Sequence, residues 1–86
     1  MICFKCTVGD EHGIHARPAG AIVNCAKKFA SQITLKKGER EANAKRLISV
    51  MGLGAKYGDE LTVFVEGEDE NNAASEIQKL LCSKQG

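Results

Sequence analysis

Two side chains in this sequence are suited to handling an anion together. They are the imidazole of His15 and the guanidinium of Arg17, in the run His12-Gly13-Ile14-His15-Ala16-Arg17-Pro18-Ala19-Gly20. A neutral imidazole is a nucleophile near neutral pH, and a guanidinium presents a fixed fork of donors that matches a phosphate. Pro18 is the only proline in the chain. Proline is tolerated in the first turn of a helix, where its missing N–H would have no intrahelical partner. A helix is therefore predicted to begin near Ala16. His15 then falls at or just before the helix N-terminus, where unpaired backbone N–H groups and the positive dipole end favour an anion. Gly13 lets the chain turn and approach closely. Such a constellation can form and hold a phosphorylated histidine. A histidine at a helix start is, taken alone, more often a cap or a surface residue, so the surrounding elements must carry the argument.

Those elements are legible as a change of period along the chain. Ile2, Phe4, Cys6 and Val8 alternate with Cys3, Lys5 and Thr7, a strand with one buried face. Gly9-Asp10-Glu11 is a turn. Over residues 16–30 the spacing becomes helical, with Ala19, Ile22, Val23, Ala26 and Phe29 or Ala30 on the apolar face and Gly20, Asn24, Lys27 and Lys28 mostly on the other. Gly20 weakens that helix by up to about 1 kcal/mol relative to alanine; it either leaves room for something to approach or is simply tolerated. Residues 32–36 alternate again, and residues 39–43 form a short, charged edge strand. The segment 44–51 holds Leu47, Ile48, Val50 and Met51, too apolar for one face of a short helix. Either it is all core, or part of it is an exposed docking patch. Leu61, Val63 and Val65 define a last strand, and Ala73, Ala74, Ile77, Leu80 and Leu81 form the stripe of a closing helix over residues 70–82, with acids at its start and Lys79 and Lys84 near its end. The order strand, helix, strand, strand, short helix, strand, helix predicts an α+β open-faced sandwich: a four-stranded antiparallel sheet with three helices on one face.

Composition narrows the function class. Eighty-six residues make one domain, residues 1–86, with a modest core. Twelve basic and eleven acidic side chains leave a net charge of +1, with no long-range field to attract nucleic acid or an anionic membrane. Three Phe, one Tyr and no Trp argue against base-stacking platforms. No apolar run reaches the ~18 residues of a membrane span, and the N-terminus lacks the order of a signal peptide. The expectation is a cytoplasmic protein in which Cys3, Cys6, Cys25 and Cys82 are free thiols acting as small hydrophobes.

Together these residues resemble the HPr family, the histidine-containing phosphocarriers of the phosphoenolpyruvate-dependent sugar phosphotransferase system. The likeness covers nearly the whole chain. Its most specific part is Gly13-Ile14-His15-Ala16-Arg17-Pro18-Ala19, with further matches over residues 49–54, at Tyr57-Gly58-Asp59-Glu60 and at Val65-Glu66-Gly67. The resemblance implies that His15 accepts a phosphoryl group from enzyme I, on Nδ1 in that family, and donates it to the IIA domains of sugar permeases. Arg17 and the backbone N–H groups of Ala16 and Arg17 would stabilise the phosphate. It further implies a docking surface made of Gly20, Asn24 and Lys27 on the first helix and Leu47, Ile48 and Met51 on the short second helix. The protein is expected to act as a monomer, without cofactor or metal. It would form a covalent intermediate but turn over no substrate alone, which makes it a carrier rather than an independent catalyst.

The sequence departs from the family's pattern at two points. Many Gram-positive relatives carry a regulatory serine where this chain has Arg46, which has no hydroxyl to phosphorylate; Ser49, about one helical turn along, is not a substitute. His12 stands where small polar residues are usual, and can contact the phosphate or simply be solvated. Two other classes compete. Cys3-x-x-Cys6 followed by His12-x-x-His15 has metal-ligand spacing, although residues 3 and 6 of one strand point to opposite faces. A regulatory or nitrogen-type phosphocarrier that does not serve sugar uptake would share the same fold.

Overall fold

The computed structural model describes residues 1–9 and 16–82, and the side chains of residues 1–9 and 19–81. In chain order the elements are β1 (Ile2–Thr7), α1 (Ala16–Ala26), β2 (Gln32–Lys37), β3 (Arg40–Asn43), α2 (Leu47–Met51), β4 (Glu60–Glu66) and α3 (Glu70–Cys82). The strands form one antiparallel sheet in the order β1-β4-β2-β3. This is the predicted open-faced sandwich. All three helices pack on one face of the sheet.

Register explains which side chains go inside. Cys6 pairs with Leu61, Ile33 and Leu35 with Val65 and Val63, and Leu35 also with Ala42. Every one of these is buried. A strand's period of two then sends Cys3, Lys5, Thr62, Phe64, Thr34 and Glu41 to the open face. Ile2 and Phe4, near the start of the edge strand β1, are only partly buried against the core. Ala19, Ile22, Val23, Cys25 and Ala26 of α1 and Ala73, Ala74, Ile77 and Leu81 of α3 fill the helical side. Leu80, expected in that stripe, is 44% exposed. At 100° per residue Ala73, Ile77, Leu81 and Ala74 share one arc, and Leu80 falls just outside its edge.

Helix α1 ends sooner than its apolar spacing predicts. After Ala26 the chain tightens into i→i+3 bonds, from Lys28 N–H to the Cys25 carbonyl and from Phe29 N–H to the Ala26 carbonyl. The next two N–H groups, of Ala30 and Ser31, are taken by the carboxylate of Asp69, each at 2.9 Å. A tertiary acceptor 38 residues away thus competes with, and ends, the helical ladder.

Cysteine chemistry needs one correction. Cys3 is an exposed free thiol and Cys25 a buried one; burial, reinforced by the negative charge of Glu76, raises the Cys25 thiol above its ordinary range. Cys6, however, is disulfide-bonded rather than free. Pairing depends on which sulfurs the fold brings together, and the strand period that placed Cys6 in the core carries no information about that. Cys3 and Cys6 do lie on opposite faces, one exposed and one 4% exposed.

Candidate functional site

The site begins with two anchored chain ends. On one side, β1 runs into Val8 and Gly9. Val8 is fixed on both of its backbone groups: its N–H donates to the Asp59 carbonyl at 2.9 Å, and its carbonyl accepts from Gly58 N–H at 3.0 Å. Gly9 N–H reaches the Leu81 carbonyl of α3 at 3.4 Å. On the other side, α1 begins at Ala16, as Pro18 predicts. His12, Gly13 and His15 lie between these anchors, outside the described residues, as do the side chains of Ala16, Arg17 and Pro18. The structure therefore fixes where the histidine segment leaves the sheet and where it meets the helix.

The turn that holds Val8 is itself stiffened. The Asp59 carboxylate accepts from Lys56 N–H at 2.8 Å and pairs with the Lys37 ammonium at 3.0 Å. Lys37 also donates to the Gly54 carbonyl at 3.0 Å. The Lys56 N–H first, and the Lys37 ammonium second, hold the Asp59 carboxyl below the usual carboxylate range. One carboxylate thus closes its own turn and ties it to β2, and the same turn bonds Val8 at the end of the strand that feeds the histidine segment.

Next to this end lies an exposed surface built on two helices. Gly20 and Asn24 of α1 and Lys27, the residue just after its end, fall at i, i+4 and i+7 in one row, and residue 16 heads the same row. Asn24 and Lys27 are exposed, and a Cβ built on Gly20 would meet nothing within 4 Å. Helix α2 packs beside α1. Its only buried residue is Val50. Leu47 and the adjacent Ile48, four and three residues before Met51, are 41% and 80% exposed, and Met51 is 39% exposed. The excess apolar character of this segment is therefore surface and not core. A cluster of three large exposed apolar side chains is unusual on a domain this small. Two hollows, lined by Gln32, Thr34, Glu41 and their neighbours, lie on the open sheet face. The patch formed by Leu47, Ile48 and Met51 beside α1 thus lies on the helix-covered side, across the sheet from these hollows.

Arg46 is the N-cap of α2. Its backbone is extended, with φ −122° and ψ 118°, and its side chain makes no capping hydrogen bond. The charge sits at a helix N-terminus, as expected from the sequence. Three contacts lie beside it: Asn43 Oδ1 accepts from Lys45 N–H at 2.9 Å, Ser49 Oγ accepts from Asn43 N–H at 3.2 Å, and Lys45 Nζ donates to the Phe29 carbonyl at 2.7 Å. The first has a sequence signal, an Asn two residues before the group it accepts from. The last spans 16 residues between two elements and has none.

Comparison with known proteins agrees with this arrangement. The family described as PTS HPr component phosphorylation site matches residues 2–83. The phosphocarrier protein HPr of Lysinibacillus sphaericus is 48% identical over 75 residues, covering 87% of this chain and 85% of that one. The HPr of Treponema pallidum is 44% identical over 84 residues, covering 98% and 96%. Among solved structures, a histidine-containing phosphocarrier protein from Mycoplasma superposes with a TM-score of 0.90 at 33% identity, covering 99% of this chain and all of that one. The chain belongs to the HPr family of phosphocarriers of the phosphotransferase system.

Proposed function

We propose that this protein carries a phosphoryl group on His15, receiving it from enzyme I and delivering it to the IIA domains of sugar permeases. The observation that supports this reading most directly is the start of α1 at Ala16. It puts the first-turn N–H groups and the positive dipole end immediately after the histidine. In the transfer, the lone pair of a neutral imidazole nitrogen attacks phosphorus. The new P–N bond forms as the bond from phosphorus to the donor breaks, and the donor leaves with that electron pair. The N–H groups of Ala16 and Arg17 and the Arg17 guanidinium share the charge that develops on the equatorial oxygens. The onward step is the same displacement in reverse, with His15 as the leaving group. Stabilisation must therefore be moderate, because a phosphate held too tightly would not be passed on.

Donor and acceptor dock in turn on one surface, formed by Gly20 and Asn24 of α1 and Lys27 just past its end, with Leu47, Ile48 and Met51 of α2. The surface is small and partly polar, which suits encounters that must end quickly. The chain works as a single-domain monomer in the cytoplasm and needs no cofactor of its own. The test is an intact mass after incubation with phosphoenolpyruvate and enzyme I, beside a His15→Ala control. One acid-labile phosphoryl group, lost in the control, is the expected result. No phosphate on the wild type, with an enzyme I active on another carrier, would overturn it.

A further inference from the structure

Helix α2 is five residues long and buries only Val50. A helix this short has no stability of its own and takes its position from what holds it. Its backbone entry is a turn, with Arg46 N–H bonded to the Asn43 carbonyl at 3.0 Å. Asn43 in turn donates its N–H to Ser49 Oγ within the helix, and its Oδ1 accepts from Lys45 N–H. These contacts are internal to residues 43–49 and say nothing about where α2 lies relative to α1. Lys45 does. Its ammonium leaves this turn and donates to the carbonyl of Phe29, at 2.7 Å, just past the C-terminal end of α1. The contact therefore joins the segment that leaves α1 to the segment that enters α2. Phe29 is packed against the core, so the acceptor is a fixed point.

We propose that Lys45 is a positioning residue for phosphoryl transfer: it is the strut that sets the α2 apolar patch, Leu47, Ile48 and Met51, at a fixed angle to the row on α1. This rests on the carrier reading above, in which both helices meet the same partner. A docking surface split over two elements binds well only if the elements are held in register before the partner arrives. On this account the Lys45 charge is engaged within the fold. The exposed Lys27, by contrast, is free to meet a partner's charge.

The full-length chain with Lys45→Met keeps the apolar stem and loses the ammonium; Lys45→Arg keeps a cationic donor. Two readouts apply. In phosphorylation by enzyme I, Lys45→Met should raise KM about fivefold with kcat unchanged, and the ratio to wild type should persist at high ionic strength. Amides of residues 47–51 should shift and exchange faster. Lys45→Arg should restore both. The proposal is overturned if KM is unchanged, if its rise vanishes at high salt as for a direct charge contact with the partner, or if the α2 amides match wild type. Should the wild type itself take no phosphate from enzyme I, the carrier reading falls, and the α2 amides alone decide the strut.

Discussion

Ser31 donates both its backbone N–H and its hydroxyl to one carboxylate oxygen of Asp69, across 38 residues of sequence. The other oxygen takes the N–H of Ala30 at 2.9 Å. Ser31 is the one buried polar residue among those described, and this carboxylate satisfies it. The pair pins the end of α1 to the start of α3, and so fixes one end of the helix that His15 precedes.

This contact predicts acid sensitivity of defined sign. The Ser31 hydroxyl first, then the Ala30 N–H, hold the Asp69 carboxyl below the usual carboxylate range. Asp59 and Glu70 are lowered too, chiefly by the backbone N–H groups of Lys56 and Gly67. A carboxyl whose folded pKa lies below its unfolded one adds stability that is complete above the unfolded value and lost as pH falls through the folded one. The denaturation midpoint should therefore be flat near neutrality and fall below about pH 4. Asp69→Asn should lower stability at neutral pH and flatten that acid limb. An acid limb of unchanged slope in the variant would assign the sensitivity to other groups.

Gly67 faces the same corner. Its φ is +153°, and a Cβ there would sit 2.6 Å from Ser31 Cα and from Ser31 Oγ. No rotation of a flexible side chain relieves a clash with backbone. Gly67→Ala should cost about 3 kcal/mol or more, from backbone strain and overpacking together. Urea denaturation measures it, and a midpoint at the wild-type value would show that the corner yields.

How much of this was legible in the sequence follows from the range of each interaction. The strand faces were, because alternation at Leu61, Val63 and Val65 needs no knowledge of the partner strand. The start of α1 was, because Pro18 acts within one turn. The end of α1 was not, since the acceptor that ends it, Asp69, comes from the far end of the chain. The disulfide of Cys6 was not, because the expected reducing compartment favours free thiols and strand alternation carries no signal for sulfur pairing. The apolar run 47–51 was ambiguous until packing showed that Val50 alone points inward. At the site, the row Gly20, Asn24 and Lys27 was legible as periodicity. The Lys45 contact with Phe29 was not, because a lysine's reach leaves no local mark.

Gly20 allows its two readings to be separated. A methyl there would touch nothing within 4 Å, and the residue lies inside α1, where alanine is favoured over glycine by up to about 1 kcal/mol. Gly20→Ala should therefore raise the denaturation midpoint. If the glycine is there for close approach of a partner, the same variant should also raise KM with enzyme I. A stabilised variant with unaltered transfer would make Gly20 merely tolerated.

Arg46 offers the converse experiment. It occupies the N-cap of α2 in an extended conformation suited to a capping side chain, yet it makes no capping bond, and its charge opposes the helix dipole. Asn at this position would accept from an unpaired N–H of the first turn and remove the charge, without introducing a hydroxyl that could be phosphorylated. Arg46→Asn should stabilise the protein by about 1 kcal/mol, read as a higher denaturation midpoint. If the arginine is kept for a partner, transfer from enzyme I should slow in the same variant, most visibly at low ionic strength, where an exposed charge acts over the longest range. A gain in stability with transfer unchanged at every salt concentration would instead leave Arg46 without a part in docking.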